Sequence, residues 1–116
     1  MRETILSIAK WHEQTFPDTD LQGQLAKFQE ETDEYAENQS LAELADMFIV
    51  ASGMCRFDII AALGCFSIVA DLLSKHENFA ASVIFAEEVQ KKMVKNRNRT
   101  WEKTQYVNYH HTNEED

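Results

Sequence analysis

The sequence predicts an all-α protein, a compact bundle of about five helices in one domain. Three observations predict it. The 116 residues include only three glycines and one proline, too few breakers for the many turns of a sheet-rich fold. Apolar residues recur at intervals of three and four along most of the chain, the period of a half-buried helix. Ser or Thr repeatedly precedes a Glu or Gln by three positions, the spacing of a helix-opening capping box.

The elements follow in order. Residues 2–15 set Ile5, Ile8, Ala9 and Trp11 or His12 on one helical face, and Pro17 ends the segment by keeping Phe16 out of the α region. Thr19 with Gln22 has capping-box spacing and opens a second helix over about 20–37, striped by Leu21, Leu25, Phe28, Thr32 and Tyr35. After the polar break Asn38-Gln39-Ser40, Ser40 with Glu43 opens a third helix, which carries Leu41, Leu44, Ala45, Phe48 and Ala51 and ends near Arg56. Residues 58–74 are apolar on nearly every side, which places a fourth helix centrally or at a subunit interface. Ser74 with Glu77 repeats the capping spacing before a fifth helix that runs through Phe79, Val83, Ala86 and Met93 toward Arg97. The domain thus spans 1–103, and the polar tail 104–116 lacks a sustained period, as an extended or disordered segment would.

Composition narrows the function. A net charge of −9 opposes direct nucleic-acid binding, which requires a basic surface. The charge is uneven, however: residues 91–103 hold six bases against one acid, whereas the first ninety hold sixteen acids against five bases. An acidic body beside a basic segment suits a small anionic ligand held between them. Cys55 and Cys65, without CxxC spacing or paired finger histidines, predict reduced thiols rather than a disulfide framework or zinc site. The longest apolar run, 59–70, falls short of the ~20 residues that cross a bilayer, and no leader pattern opens the chain, so the expectation is a cytoplasmic protein with no membrane association.

The stretch EETDEYAENQSLAELAD at 30–46 concentrates the chemistry. Glu31 lies three residues after Phe28 and four before Tyr35, so it shares the apolar stripe of helix two, and Glu34 sits one turn on. On helix three, Glu43 and Asp46 repeat the spacing, with Ala42, Ile49, Val50 and Gly53 around Asp46. Any one such pair is the ordinary pattern of a solvated face; two on consecutive helices beside apolar residues are not. Like charges gathered in a poorly solvated space oppose one another's ionisation, an objection that a divalent cation removes. Oxygen-only ligands favour Mg²⁺, Mn²⁺ or Ca²⁺, and Mg²⁺ in particular is shared between carboxylates and phosphates. Lys92, Lys95 and Arg99 then become candidates for phosphate contacts, with Asn96 as a hydrogen-bond donor. Trp11, His12, Phe16 and Trp101 could supply a flat wall for a nucleobase.

E30-E31-x-x-E34 followed by E43-x-x-D46, with the later K92-x-x-K95-N96-x-x-R99, resembles the signature of the MazG-like all-α nucleoside triphosphate pyrophosphatases. The resemblance runs from about Trp11 to Trp101 and is nearest to the short phage and bacterial members, among them dATP/dGTP pyrophosphohydrolases. It implies Mg²⁺-dependent hydrolysis of a (d)NTP to (d)NMP and pyrophosphate, with Mn²⁺ as a substitute. It also implies metal held by Glu31, Glu34, Glu43 and Asp46, and makes Glu30 a candidate to orient or deprotonate water. Glu34 then serves both metal and catalysis. A site on a four-helix arrangement, completed in a homodimer or homotetramer, is implied as well. One departure is the interval between the acidic motifs, only eight residues from Tyr35 to Ala42, which makes Glu43 contested: it can cap helix three or face the metal.

The competing reading is an acidic helical interaction protein or nucleic-acid mimic without catalytic activity, which accounts for the net charge but not for carboxylates on apolar faces. A di-iron carboxylate bundle is disfavoured because no ExxH occurs in the chain.

Overall fold

A computed structural model describes residues 2–99, 101–103 and 109–111, the parts beyond Trp101 by backbone alone. Five helices carry the fold: α1 (Ile5–Thr15), α2 (Leu21–Asn38), α3 (Leu41–Met54), α4 (Ile59–Ser74) and α5 (Ala81–Asn98). Two short strands follow, β1 (Trp101–Lys103) and β2 (Tyr109–His111), paired antiparallel with Trp101 opposite His111. No alternation in the sequence announces that ladder. Residues 104–108 and 112–116 of the expected tail lie outside the described residues.

Local chemistry starts and stops the helices. Thr4 and Ser7 form a reciprocal capping box at α1, which therefore begins later than residue 2. Phe16, held before Pro17 at φ −125, ends it. At α2 the cap is Asp20, whose carboxylate accepts the Gly23 N–H at 2.8 Å; Thr19, expected in that role, instead buries a hydroxyl without a hydrogen-bond partner. Gln39 closes α2 in the left-handed region at φ 41, and its N–H reaches the Tyr35 carbonyl. Ser40 caps α3 by accepting the Glu43 N–H at 3.1 Å.

The Ser74 box does not form. Ser74 is the last residue of α4 and its hydroxyl donates to the Asp71 carbonyl, while α5 opens seven residues later from Ala80 with no side-chain cap. The reason is Asn78, whose side chain accepts the Ala80 N–H at 2.8 Å and turns the chain there.

The centre is α3, not α4: it packs against α1, α2, α4 and α5, and from Leu44 on nearly all its residues are buried. One apolar cluster joins α2, α3 and α4 around Phe28, Leu44, Met47, Met54 and Val69; a second joins α1, α3 and α5 around Ile8, Trp11, Ile49, Val89 and Met93. α4 buries only Ala62, Cys65 and Val69 and leaves Ile59, Ile60, Leu63 and Ile68 exposed. Its all-round hydrophobicity therefore does not mean enclosure within the chain. Among the described residues no helix is long and apolar enough to cross a membrane, and both cysteines are free thiols.

Candidate functional site

Where α1, α2, α3 and α5 meet, they line a cavity of about 340 Å³. That volume lies within the range of small-ligand sites. Its floor is acidic. Glu31 on α2 and Glu43 and Asp46 on α3 each bring a carboxylate oxygen within 4.8 Å of the others, a set that could hold a metal ion. The helical register explains the meeting. Ser40 fixes the start of α3, so Glu43 and Asp46 look back across the α2–α3 contact at Glu31, which Phe28 and Tyr35 carry into the core.

Burial, reinforced by Asp46 and partly offset by Lys27, pushes the Glu31 carboxyl up to about 8. Glu34 sits more exposed at the cavity rim, outside the tight triad, and is also raised, first by desolvation and then by Glu43. The contest over Glu43 resolves atom by atom: its backbone N–H serves the Ser40 cap, while its Oε2 is buried with no hydrogen-bond partner. A buried, unsatisfied carboxylate oxygen beside two further carboxylates is costly unless a cation completes it. The triad therefore fits a divalent ion on its own donor chemistry.

Beside the acids stands the end of α5. Lys92, Asn96 and Arg99 line the cavity; Lys92 Nζ lies 3.2 Å from Asp46 Oδ2, and Arg99 donates to the Asn96 carbonyl oxygen of its side chain at 3.2 Å. Lys95 does not line it. It is exposed, because the step from Lys95 to Asn96 turns the helix by about 100° and only Asn96 faces inward. Arg97 is exposed and makes two hydrogen bonds of 2.8 and 2.7 Å to Glu3, which hold the Glu3 carboxyl below the usual range. This pair ties the segment before α1 to the end of α5.

An aromatic wall closes the other side. Trp11, Phe16 and Trp101 meet edge to face, at 5.3 Å between Trp11 and Phe16 and 5.0 Å between Phe16 and Trp101. Trp101 is oriented by donating its indole N–H to the Asn96 backbone carbonyl at 3.2 Å. His12 completes the wall, 5.0 Å from Phe16. Desolvation and the Arg56 charge lower its imidazole to about 4, so it is neutral near pH 7. Arg56 can only donate, so His12 Nδ1 accepts at 3.1 Å and the ring proton sits on Nε2, available to Gln24. Gln24 in turn donates to the Val50 carbonyl at 2.9 Å. Gly53 permits this crossing, since a Cβ there would stand 2.8 Å from both Gln24 Nε2 and His12 Cδ2.

Glu30, Glu31, Glu34, Glu43, Asp46, Lys92, Asn96, Arg99, Trp11, His12, Phe16 and Trp101, all singled out from the sequence, therefore share one cavity. Lys27 and Gln24 were not singled out. Lys27 pairs with Glu30 at 3.1 Å, and its place one turn before Glu30 and Glu31 was the available signal. Gln24, two turns before Glu31, carried the same signal. Compared with known protein families, curated proteins and solved structures, the chain matches none.

Proposed function

We propose that this protein is a MazG-like enzyme that hydrolyses a nucleoside triphosphate, dATP and dGTP being the first candidates, to the monophosphate and pyrophosphate with Mg²⁺. The reading rests on the motif resemblance, and one observation carries it: the Glu31, Glu43 and Asp46 carboxylates share a single cavity with Lys92, Asn96, Arg99 and an aromatic wall. An acidic interaction surface would have no use for a buried, unpartnered Glu43 oxygen.

In this reading Glu31, Glu43 and Asp46, with Glu34 at the rim, hold Mg²⁺, or Mn²⁺ in its place. The bound ion supplies Lewis-acid polarisation of phosphate oxygens and a lowered pKa for water. The chain does the rest. Lys92 and Arg99 neutralise the polyphosphate, Asn96 donates to it, and Trp11, Phe16 and Trp101 hold the base out of water. A water oxygen bonds to the α-phosphorus as the bridging oxygen to the β-phosphorus leaves with pyrophosphate. The water proton passes to a carboxylate at the rim, Glu30 or Glu34. Lys27, 3.1 Å from Glu30, holds the Glu30 carboxylate in place. We further propose that the protein works as a homodimer or homotetramer in which the outer face of α4 meets a second copy.

The test is a panel of dNTPs and NTPs incubated with protein and Mg²⁺, with products separated by ion exchange. Monophosphate and pyrophosphate are expected from at least one nucleotide. Asp46→Asn should lower turnover about 100-fold or more with the helical circular dichroism intact. Absence of product from every nucleotide would refute the activity, and wild-type turnover in Asp46→Asn would remove that residue from the metal set.

A further inference from the structure

Lys92 is placed to do two incompatible things. Its ammonium lies 3.2 Å from Asp46 Oδ2, with both side chains largely buried, at 17% and 23% exposure. The same Asp46 belongs to the carboxylate triad, whose ligand atoms lie within 4.8 Å of one another. A divalent ion and an ammonium cannot share one carboxylate edge at that spacing without strong repulsion in so poorly solvated a place. The cavity's other cations are otherwise engaged: Lys27 pairs with Glu30, and Arg99 hydrogen-bonds Asn96.

On the proposed metal-dependent reading, we infer that Lys92 is an internal counter-ion that guards Asp46 and is handed over to the substrate's phosphates. Without a polyphosphate, Lys92 holds Asp46 and weakens cation binding at the triad. With one present, Lys92 swings to a phosphate oxygen and leaves Asp46 available as a ligand. Cation and polyphosphate therefore assist each other, and by linkage the coupling is the same in both directions. The consequence is a site that resists filling by free metal alone and assembles when nucleotide arrives. The acids are contributed by α2 and α3 and the lysine by α5, so the handover needs only a side-chain rotation about a fixed backbone.

The experiment titrates Mn²⁺ alone into the full chain and reads free Mn²⁺ by electron paramagnetic resonance, so that catalysis plays no part. Lys92→Met should bind Mn²⁺ at least about fivefold tighter than the parent, the lower end of ordinary coupling between sites. Lys95→Met removes the same charge from an exposed position on the same helix and should stay within about twofold of the parent. Lys92→Gln, which keeps a polar end group, should follow Lys92→Met and covers the case in which that variant folds poorly. In the hydrolysis assay at saturating Mg²⁺, Lys92→Met should raise KM for the nucleotide. If Lys92→Met and Lys92→Gln bind Mn²⁺ no more tightly than Lys95→Met while the parent still hydrolyses nucleotide, the handover is wrong and the enzyme reading survives. If no protein binds Mn²⁺ and none forms product, both fall.

Discussion

At the scale of single residues, Glu31 is the most informative. Its spacing to Phe28 and Tyr35 marks it in the sequence as a carboxylate on an apolar face, and it is buried there at 7% exposure. A carboxyl raised from 4.5 to about 8 by folding binds its proton more tightly in the native state than in the unfolded chain. Between those values the unfolded chain loses the proton first, so metal-free stability falls as pH rises and the full cost is present above 8. Glu31→Gln removes that cost. In urea titrations with a chelator present, the variant should match the parent below pH 4.5 and exceed it above pH 8 by roughly a few kcal/mol. A constant difference across that window would show that Glu31 is not held protonated. Lys92 and Lys95 teach the opposite lesson about legibility. Both fall in the basic run and both read as phosphate ligands, but only the facing of α5 against α3 separates the inward lysine from the exposed one.

Among the elements, the α2–α3 turn decides whether the acidic motifs meet. Its polar break and the Ser40 cap were legible, because a hydroxyl three residues before a backbone N–H is local chemistry. The Thr19 and Ser74 boxes share that spacing yet fail. At α2 the neighbouring Asp20 carboxylate takes the cap, and after α4 Asn78 moves the start of α5 onward. A capping pattern therefore states which residues could cap and leaves the choice to the chain's path. Gln39 offers a test of the turn. It sits at φ 41 and ψ 31, where a side chain is strained and glycine is not. Gln39→Gly should stabilise the protein by about 0.5–1 kcal/mol, visible as a rise of a few degrees in Tm. An unchanged or lowered Tm would mean that the Gln39 side chain contributes more than its backbone costs.

For the whole molecule, the unusual surface is α4. A helix with Asp71 as its single charge leaves Ile59, Ile60, Leu63 and Ile68 exposed. Monomers seldom carry so much exposed aliphatic surface on one helix. Self-association there should be abolished by Ile60→Glu with Leu63→Glu, which light scattering would register as a drop to monomer mass. A parent that is monomeric at tens of micromolar would sink the proposal. The hydrophobic period and the caps are properties of neighbouring residues, so the sequence by itself determined that the chain is helical, where its helices roughly lie, and which acids, bases and aromatics could form a site. Which helix lies at the centre depends on how five apolar faces divide a limited interior, and that was settled only by packing. Tertiary structure alone decided that α3 takes the core, that Glu43 caps with its backbone and leaves its carboxylate in the cavity, and that Lys92 stands against Asp46. Those are relations between atoms distant along the chain, set by the facing of whole helices, which no local pattern encodes.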